Sequence, residues 1–181
     1  MGSEMCIRDS RIETGQERTT LGPVNVRIAC QNAIASLDPN AEKRGVTLRN
    51  ETPEDLWVVA DSGALDQVLV NLIDNALKYG ADGGKVTVTA MEDGRFTRIM
   101  VEDDGPGIDP THRDRVFERF YRIDRGRARH MGGTGIGLAI VKHLVESMGG
   151  TVGVEGVKPT GSRFWIRLNP PQNHNPPQPE L

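Results

Sequence analysis

Cysteine is nearly absent: Cys6 and Cys30 are the only two in 181 residues. They are too few and too far apart for a zinc knuckle or a disulfide framework, which fits a reducing cytoplasm. An excess of charge is missing too. Twenty-two basic against 25 acidic residues leave a net charge of −3, which argues against nucleic acid as a partner and makes any polyanion site a local one. No apolar run approaches the roughly twenty residues that span a bilayer. The expectation is therefore a cytoplasmic chain with no membrane contact of its own, whether or not a parent protein is anchored in the inner membrane. Two common phosphate-binding signatures are also lacking: there is no G-K-[ST] of a P-loop and no G-x-G-x-x-G of the dinucleotide folds.

What is present suffices for one domain with a real core. Residues 1–10 are too short and too charged for a secretory signal and read as an expression or sequence-assembly scar. The end, 169–181, carries five prolines and almost nothing apolar, and is expected to be a disordered tail or linker. Between them the hydrophobic period alternates. Helical spacing runs from about Val26 to Lys43 on Ile28, Ala29, Ala33, Ile34, Leu37 and Ala41, with Pro39 expected to kink or interrupt its end and Cys30 expected in the core. Two further helices are predicted, Gly63 to Tyr79 and Gly135 to Ser147, the second ended by Gly149-Gly150. Strand patterns fall at Val46–Arg49, Trp57–Ala60, Lys85–Met91, Phe96–Val101, Thr151–Val157 and Ser162–Leu168, with Asp93-Gly94 as a hairpin turn. Strands outnumber helices without simple alternation, so the fold class is α+β: a two-layer sandwich of one mixed, mostly antiparallel sheet covered on one face by about three helices.

The second helix is two-faced. Leu65, Val68, Leu69, Leu72, Ile73, Ala76 and Leu77 share one side, and Gln67, Asn71, Asp74, Asn75 and Lys78 fall opposite. A solvated surface would account for such a stripe. Two amides at i and i+4 suggest more, because amide oxygens are neutral hard ligands for a hydrated Mg²⁺ shared with phosphates, and Lys78 stands one turn on. Asp103-Asp-Gly-Pro-Gly107-Ile108 follows a strand, where it is either a tight turn or a place where backbone approaches a flat ring. Gly133-Thr-Gly-Ile-Gly-Leu138 opens a helix, so free N–H groups and the positive dipole end suit a phosphate. Between these loops, residues 112–130 hold seven arginines (113, 115, 119, 122, 125, 127, 129) against three acids. That local excess fits a mobile lid over a triphosphate or a basic docking surface. Phe117, Phe120 and Tyr121 are expected to pin its base into the core.

In order and spacing, Asn71 to Tyr79, Asp103 to Gly107, Phe117 to Arg122 and Gly133 to Leu138 resemble the catalytic ATP-binding domain of bacterial two-component sensor histidine kinases, which has the Bergerat fold. The resemblance spans about residues 11–168, with the catalytic domain at 21–168. It implies Mg-ATP as ligand, Asn75 as metal ligand, and Asn71, Lys78 and Arg122 as the residues serving phosphate transfer. Tyr79, Asp103, Gly105, Gly107 and Ile108 would then line the base pocket, with Asp103 accepting from the adenine amine. Gly133, Thr134, Gly135, Ile136, Gly137 and Leu138 would hold the phosphates. ATP-hydrolysing relatives carry a glutamate general base where Asn71 stands; an amide cannot accept that proton, which favours transfer over hydrolysis. Residues 11–20 resemble the remnant of a dimerisation helix and linker. None of His112, His130, His143 and His174 heads an H-[ED]-x-x-[NT]-P acceptor sequence. The chain is therefore expected to be a monomeric catalytic part that acts on a histidine-bearing dimerisation domain, with a response regulator downstream. The alternative is an anti-sigma-type serine kinase or binding module of the same fold. A hydrolytic clamp is disfavoured by Asn71, and a degenerate pseudokinase by the intact Asn75, Asp103 and Gly133 to Gly137 loop.

Overall fold

A computed structural model describes residues 19–123 and 133–172. The scar and helix remnant expected before residue 19, Arg125, Arg127, Arg129 and His130, and the tail from residue 173 lie outside the described residues.

Strand β1 (Gly22–Asn25) leads directly into helix α1 (Val26–Arg44), whose Asn25 cap accepts the Ile28 N–H at 3.0 Å. Gly45 ends the helix in the left-handed conformation, φ 65°. Pro39 neither ends nor interrupts α1, contrary to the sequence expectation. Pro39 and Ala35, whose carbonyl loses its i+4 donor, both lie on the exposed face, so that oxygen is open to solvent and not buried unpaired. Val26, Cys30, Ala33, Ile34, Leu37 and Ala41 form the buried side, and burial pushes the Cys30 thiol up to about 12. Ile28, assigned by its spacing to that side, is instead 61% exposed.

Strands β2 (Thr47–Asn50) and β3 (Trp57–Ala60) precede helix α2 (Ser62–Tyr79), and the hairpin β4 (Lys85–Asp93) and β5 (Phe96–Asp103) follows it. Helix α3 (Gly137–Ser147) and strands β6 (Thr151–Gly156) and β7 (Ser162–Leu168) complete the order. The main sheet runs β2-β4-β5-β7-β6, parallel between β2 and β4 and antiparallel elsewhere. The expected single sheet needs one correction: β1 and β3 make a separate antiparallel ribbon. The Val59 N–H donates to the Asn169 carbonyl just past β7, and Thr97 at the start of β5 donates to Trp57. The ribbon therefore sits at the end of the sheet opposite Asp103. Gly22-Pro-Val-Asn25 is too short for a period-2 signal, and its pairing with Trp57–Ala60 is long-range.

All seven residues of the predicted apolar face of α2 are buried, and α2 lies between α1 and α3. One side of the sheet meets these helices. The other carries Arg98, Met100 and Glu102 of β5 beside Arg163, Trp165 and Arg167 of β7. There the Trp165 ring lies between the Arg98 and Arg167 guanidinium groups, at 4.8 and 4.9 Å. Arg163 bridges Glu102 and Glu155, and Arg167 reaches Asp93 at 2.6 Å, so this open face is covered by its own paired charges. No helix among the described residues is long and apolar enough to cross a membrane.

Candidate functional site

Burying the apolar side of α2 fixes where its polar side faces. Asn71, Asp74, Asn75 and Lys78 are half-buried along it, beside the start of α3. A Cβ on Gly137 would stand 3.7 Å from Asn71 Oδ1, so the first turn of α3 abuts this amide. Asn71 Nδ2 is enclosed without a hydrogen-bond partner among the described residues. Such a donor costs on the order of 1–3 kcal/mol unless something accepts from it. No hydrogen bond engages the Asn75 carboxamide among the described residues. Lys78 Nζ, in contrast, sits 2.6 Å from Asp74 Oδ2. Asp74 is the partner that the sequence reading passed over, although its i,i+4 spacing was there to find.

Helix α3 begins at Gly137, two residues later than expected, and no side chain caps its N-terminus. The loop before it is held by backbone. Gly135 has φ 72° and its carbonyl accepts the Phe120 N–H at 2.9 Å. A side chain there would lie 3.1 Å from the Phe120 Cα, so glycine is required twice over. At the other end of the loop, a Cβ on Gly133 would be 3.1 Å from Tyr79 Oη and 3.5 Å from Arg122 Nη2. The fold thus gathers Tyr79, Gly133 and Arg122 from three separate segments. Thr134 is exposed, Ile136 is half-buried, and Leu138 packs against the core.

Asp103 ends β5 and is only 5% exposed. Its Oδ1 accepts the Gly105 N–H at 2.9 Å. Burial outweighs its backbone hydrogen bonds and raises the carboxyl to about 6. Gly105 lies flat on the end of α2, where a Cβ would come 2.6 Å from the Tyr79 carbonyl. Ile108 packs partly against the core. Two clefts, of about 510 and 140 Å³, flank the loop 157–161 and touch this segment at Gly107–Ile108 and at Asp103–Asp104; neither is lined by Asn71 or Asn75.

The arginine-rich stretch divides by role. Arg113 donates to the Ile108 carbonyl, and Arg115 pairs with Glu118 and covers the Tyr121 ring at 4.3 Å. Of the four described arginines, Arg122 is the one beside the glycine loop. Phe117 pins the segment as expected, edge-on to Phe164 with centroids 6.0 Å apart, and Tyr121 packs on the core while sharing a 2.5 Å hydrogen bond with His112. Phe120 does not. Its backbone is left-handed, φ 64°, and its ring is 71% exposed. Contact with Gly135 fixes that backbone and turns the ring outward.

Residues 60–172 match the family model described as histidine kinase-, DNA gyrase B-, and HSP90-like ATPase. The sensor-like histidine kinase SenX3 of Mycobacterium tuberculosis (strain ATCC 25618 / H37Rv) is 36% identical over 159 residues, which is 88% of this chain and 39% of that protein. The chain thus spans about two fifths of that relative's length. Among solved structures, mycobacterial sensor histidine kinase MprB superposes with a TM-score of 0.70 at 30% identity, covering 83% of this chain and 98% of that one. Full-length ShkA, solved in complex with AMPPNP, gives 0.70 at 35% identity over 82% of this chain and 31% of that one. The described elements and this likeness agree on the α+β fold and disfavour the anti-sigma alternative. The chain belongs to the family of histidine kinase-, DNA gyrase B- and HSP90-like ATPases, and within it to the ATP-binding catalytic domains of two-component sensor histidine kinases.

Proposed function

We propose that this domain holds Mg-ATP between α2, the Asp103–Ile108 loop and the start of α3, and delivers the γ-phosphate to a histidine on a dimerisation domain. The observation that carries the reading is Asn71: an amide with a buried, unmatched N–H beside the uncapped α3 N-terminus. That N–H suits an anionic acceptor, and an amide cannot deprotonate water. Gly133, Thr134, Gly135, Ile136 and Gly137 supply backbone N–H groups and the helix dipole to the phosphates. Arg122 adds charge beside Gly133, and Lys78, which pairs with Asp74, adds a second positive charge from the polar face of α2. Asp103 accepts from the adenine amino group, with Gly105, Gly107 and Ile108 forming the floor, Leu138 the far wall and Tyr79 the rim.

The donor set fits Mg²⁺. Asn75 would hold it, through a neutral oxygen that leaves the remaining positions to water and phosphate. When bound, Mg²⁺ would neutralise charge on the β- and γ-phosphates. In the transfer, the bond from the γ-phosphorus to its bridging oxygen breaks as a bond to an imidazole nitrogen forms, and the imidazole proton leaves to a base on the acceptor domain. No histidine of this chain stands in an acceptor sequence, so the acceptor comes from outside these 181 residues, and the chain alone does not autophosphorylate. A response regulator follows downstream, and the domain works as a monomeric unit on the cytoplasmic side, where ATP is.

Calorimetric titration with a non-hydrolysable ATP analogue, with and without Mg²⁺, tests this. Metal-dependent binding at micromolar to sub-millimolar concentration, lost in Asn75→Ala, is expected. Transfer of ³²P from ATP to an added histidine-bearing domain should then occur without rapid ADP release in its absence. A folded chain that binds no nucleotide, or that hydrolyses ATP steadily with no acceptor, overturns the proposal.

A further inference from the structure

Asp104 stands between the two functional positions Asp103 and Gly105, is exposed, and from the sequence alone looks free to vary. In the fold it has a defined job. Its Oδ2 accepts the Lys85 N–H at 2.9 Å, at the first residue of β4. Gly84 leaves the room for this and for its own turn, since a Cβ there would run into both oxygens of the Asp104 carboxylate and lie 2.8 Å from the Ala81 carbonyl. The segment it hangs from is itself anchored. The Gly83 N–H reaches the Arg44 carbonyl at 3.1 Å, the Thr47 N–H reaches the Gly84 carbonyl at 2.9 Å, and Arg44 pairs with Asp82. Asp103 itself is held by the sheet, opposite Val86 of β4 and Ser162 of β7, but the turn beyond it is not, and the bond from the Gly105 N–H to Asp103 Oδ1 lies within that turn. Gly105 against Tyr79 supplies only a one-sided contact.

We infer that Asp104 is a positioning residue for base recognition: its bond to Lys85 holds the Gly105–Gly107 turn, which follows the sheet-held Asp103, against the C-terminal end of α2, setting the spacing between the floor of the base pocket and the amides Asn71 and Asn75. The inference rests on Asp103 reading the base. A ligand gripped at both ends senses that spacing, whereas one gripped only at its phosphates does not. What the clip needs is an acceptor oxygen, which asparagine keeps and alanine lacks.

The test is titration of the full chain with Mg-AMPPNP and, separately, with inorganic tripolyphosphate, for wild type, Asp104→Ala, Asp104→Asn and Gly84→Ala, with thermal melts to establish folding. Asp104→Ala and Gly84→Ala are expected to bind AMPPNP about tenfold more weakly, as loss of one oriented contact implies, while tripolyphosphate changes less than about twofold. Asp104→Asn should stay within about twofold of wild type for both. Wild-type affinity in Asp104→Ala, a loss in Asp104→Asn as large as in alanine, or an equal loss of tripolyphosphate binding overturns the inference. Should Asp104→Ala not fold, Gly84→Ala against Asp104→Asn gives the same contrast. Failure of wild type to bind AMPPNP would instead sink the ATP reading, and this inference with it.

Discussion

Asp103 is a carboxylate kept where a carboxylate is uncomfortable. Burial lifts it from 3.8 to about 6, so between roughly pH 4 and 6 the native state carries a proton that the unfolded chain lacks. Its contribution to stability therefore improves as pH falls through that window and is least favourable above pH 6. Asp103→Asn should stabilise the nucleotide-free domain at pH 7.5 by on the order of 1–2 kcal/mol and do little at pH 4; chemical denaturation at the two values decides it. Nucleotide binding should run the other way, weakening as pH drops below about 6, because protonation removes the charged acceptor. Asp103→Ala should weaken ATP and leave tripolyphosphate almost unaffected, and equal loss of both would remove the base-reading role. Phe120 is a second residue under constraint, left-handed without being glycine and with its ring in solvent. Phe120→Gly should raise stability by roughly 0.5–1 kcal/mol, since little burial is lost; a lower melting temperature would show that the left-handed backbone costs less than the ring contributes.

Among the elements, α2 has two separable faces. Leu72→Ala, at a position 1% exposed, should cost about 2–5 kcal/mol without a specific effect on ligand preference, whereas Asn75→Ala should leave the melting temperature nearly unchanged and abolish metal-dependent binding. The loop before α3 is less separable. Read as a phosphate cradle alone, Gly135 could be replaced at no cost to folding. With φ 72° and the Phe120 backbone 3.1 Å from any added Cβ, Gly135→Ala should instead cost roughly 1–2 kcal/mol as well as weaken tripolyphosphate binding. Denaturation and titration of the same variant measure the two losses together.

At the scale of the whole molecule, the proposed site draws on α2, the end of β5, the Phe117–Arg122 segment and the start of α3, so a ligand that touches all four would tie them together. At a concentration of Mg-AMPPNP one hundred times its dissociation constant, mass action adds about 2.7 kcal/mol to the native state. For a domain of this size that is a rise of roughly 5–10 °C in Tm, and a rise that persists in Asn75→Ala would show that the metal site lies elsewhere. Much of this was legible in the chain. The buried face of α2, six of the seven strands, a hairpin turn at Gly94 (as Gly94-Arg95, one residue later than the expected Asp93-Gly94) and the glycine loops all follow from periods of 3.6 and 2 and from turn chemistry, which are local properties of the backbone. The sequence by itself settled the element types and the residue kinds able to meet a nucleotide. Tertiary structure alone decided that β1 pairs with β3, that Pro39 is tolerated on an exposed face, that Phe120 turns outward, that Lys78 rests on Asp74, and that Asp104 accepts from Lys85 of β4. Each of those depends on which backbone groups from distant parts of the chain arrive at the same place, and periodicity carries no information about that.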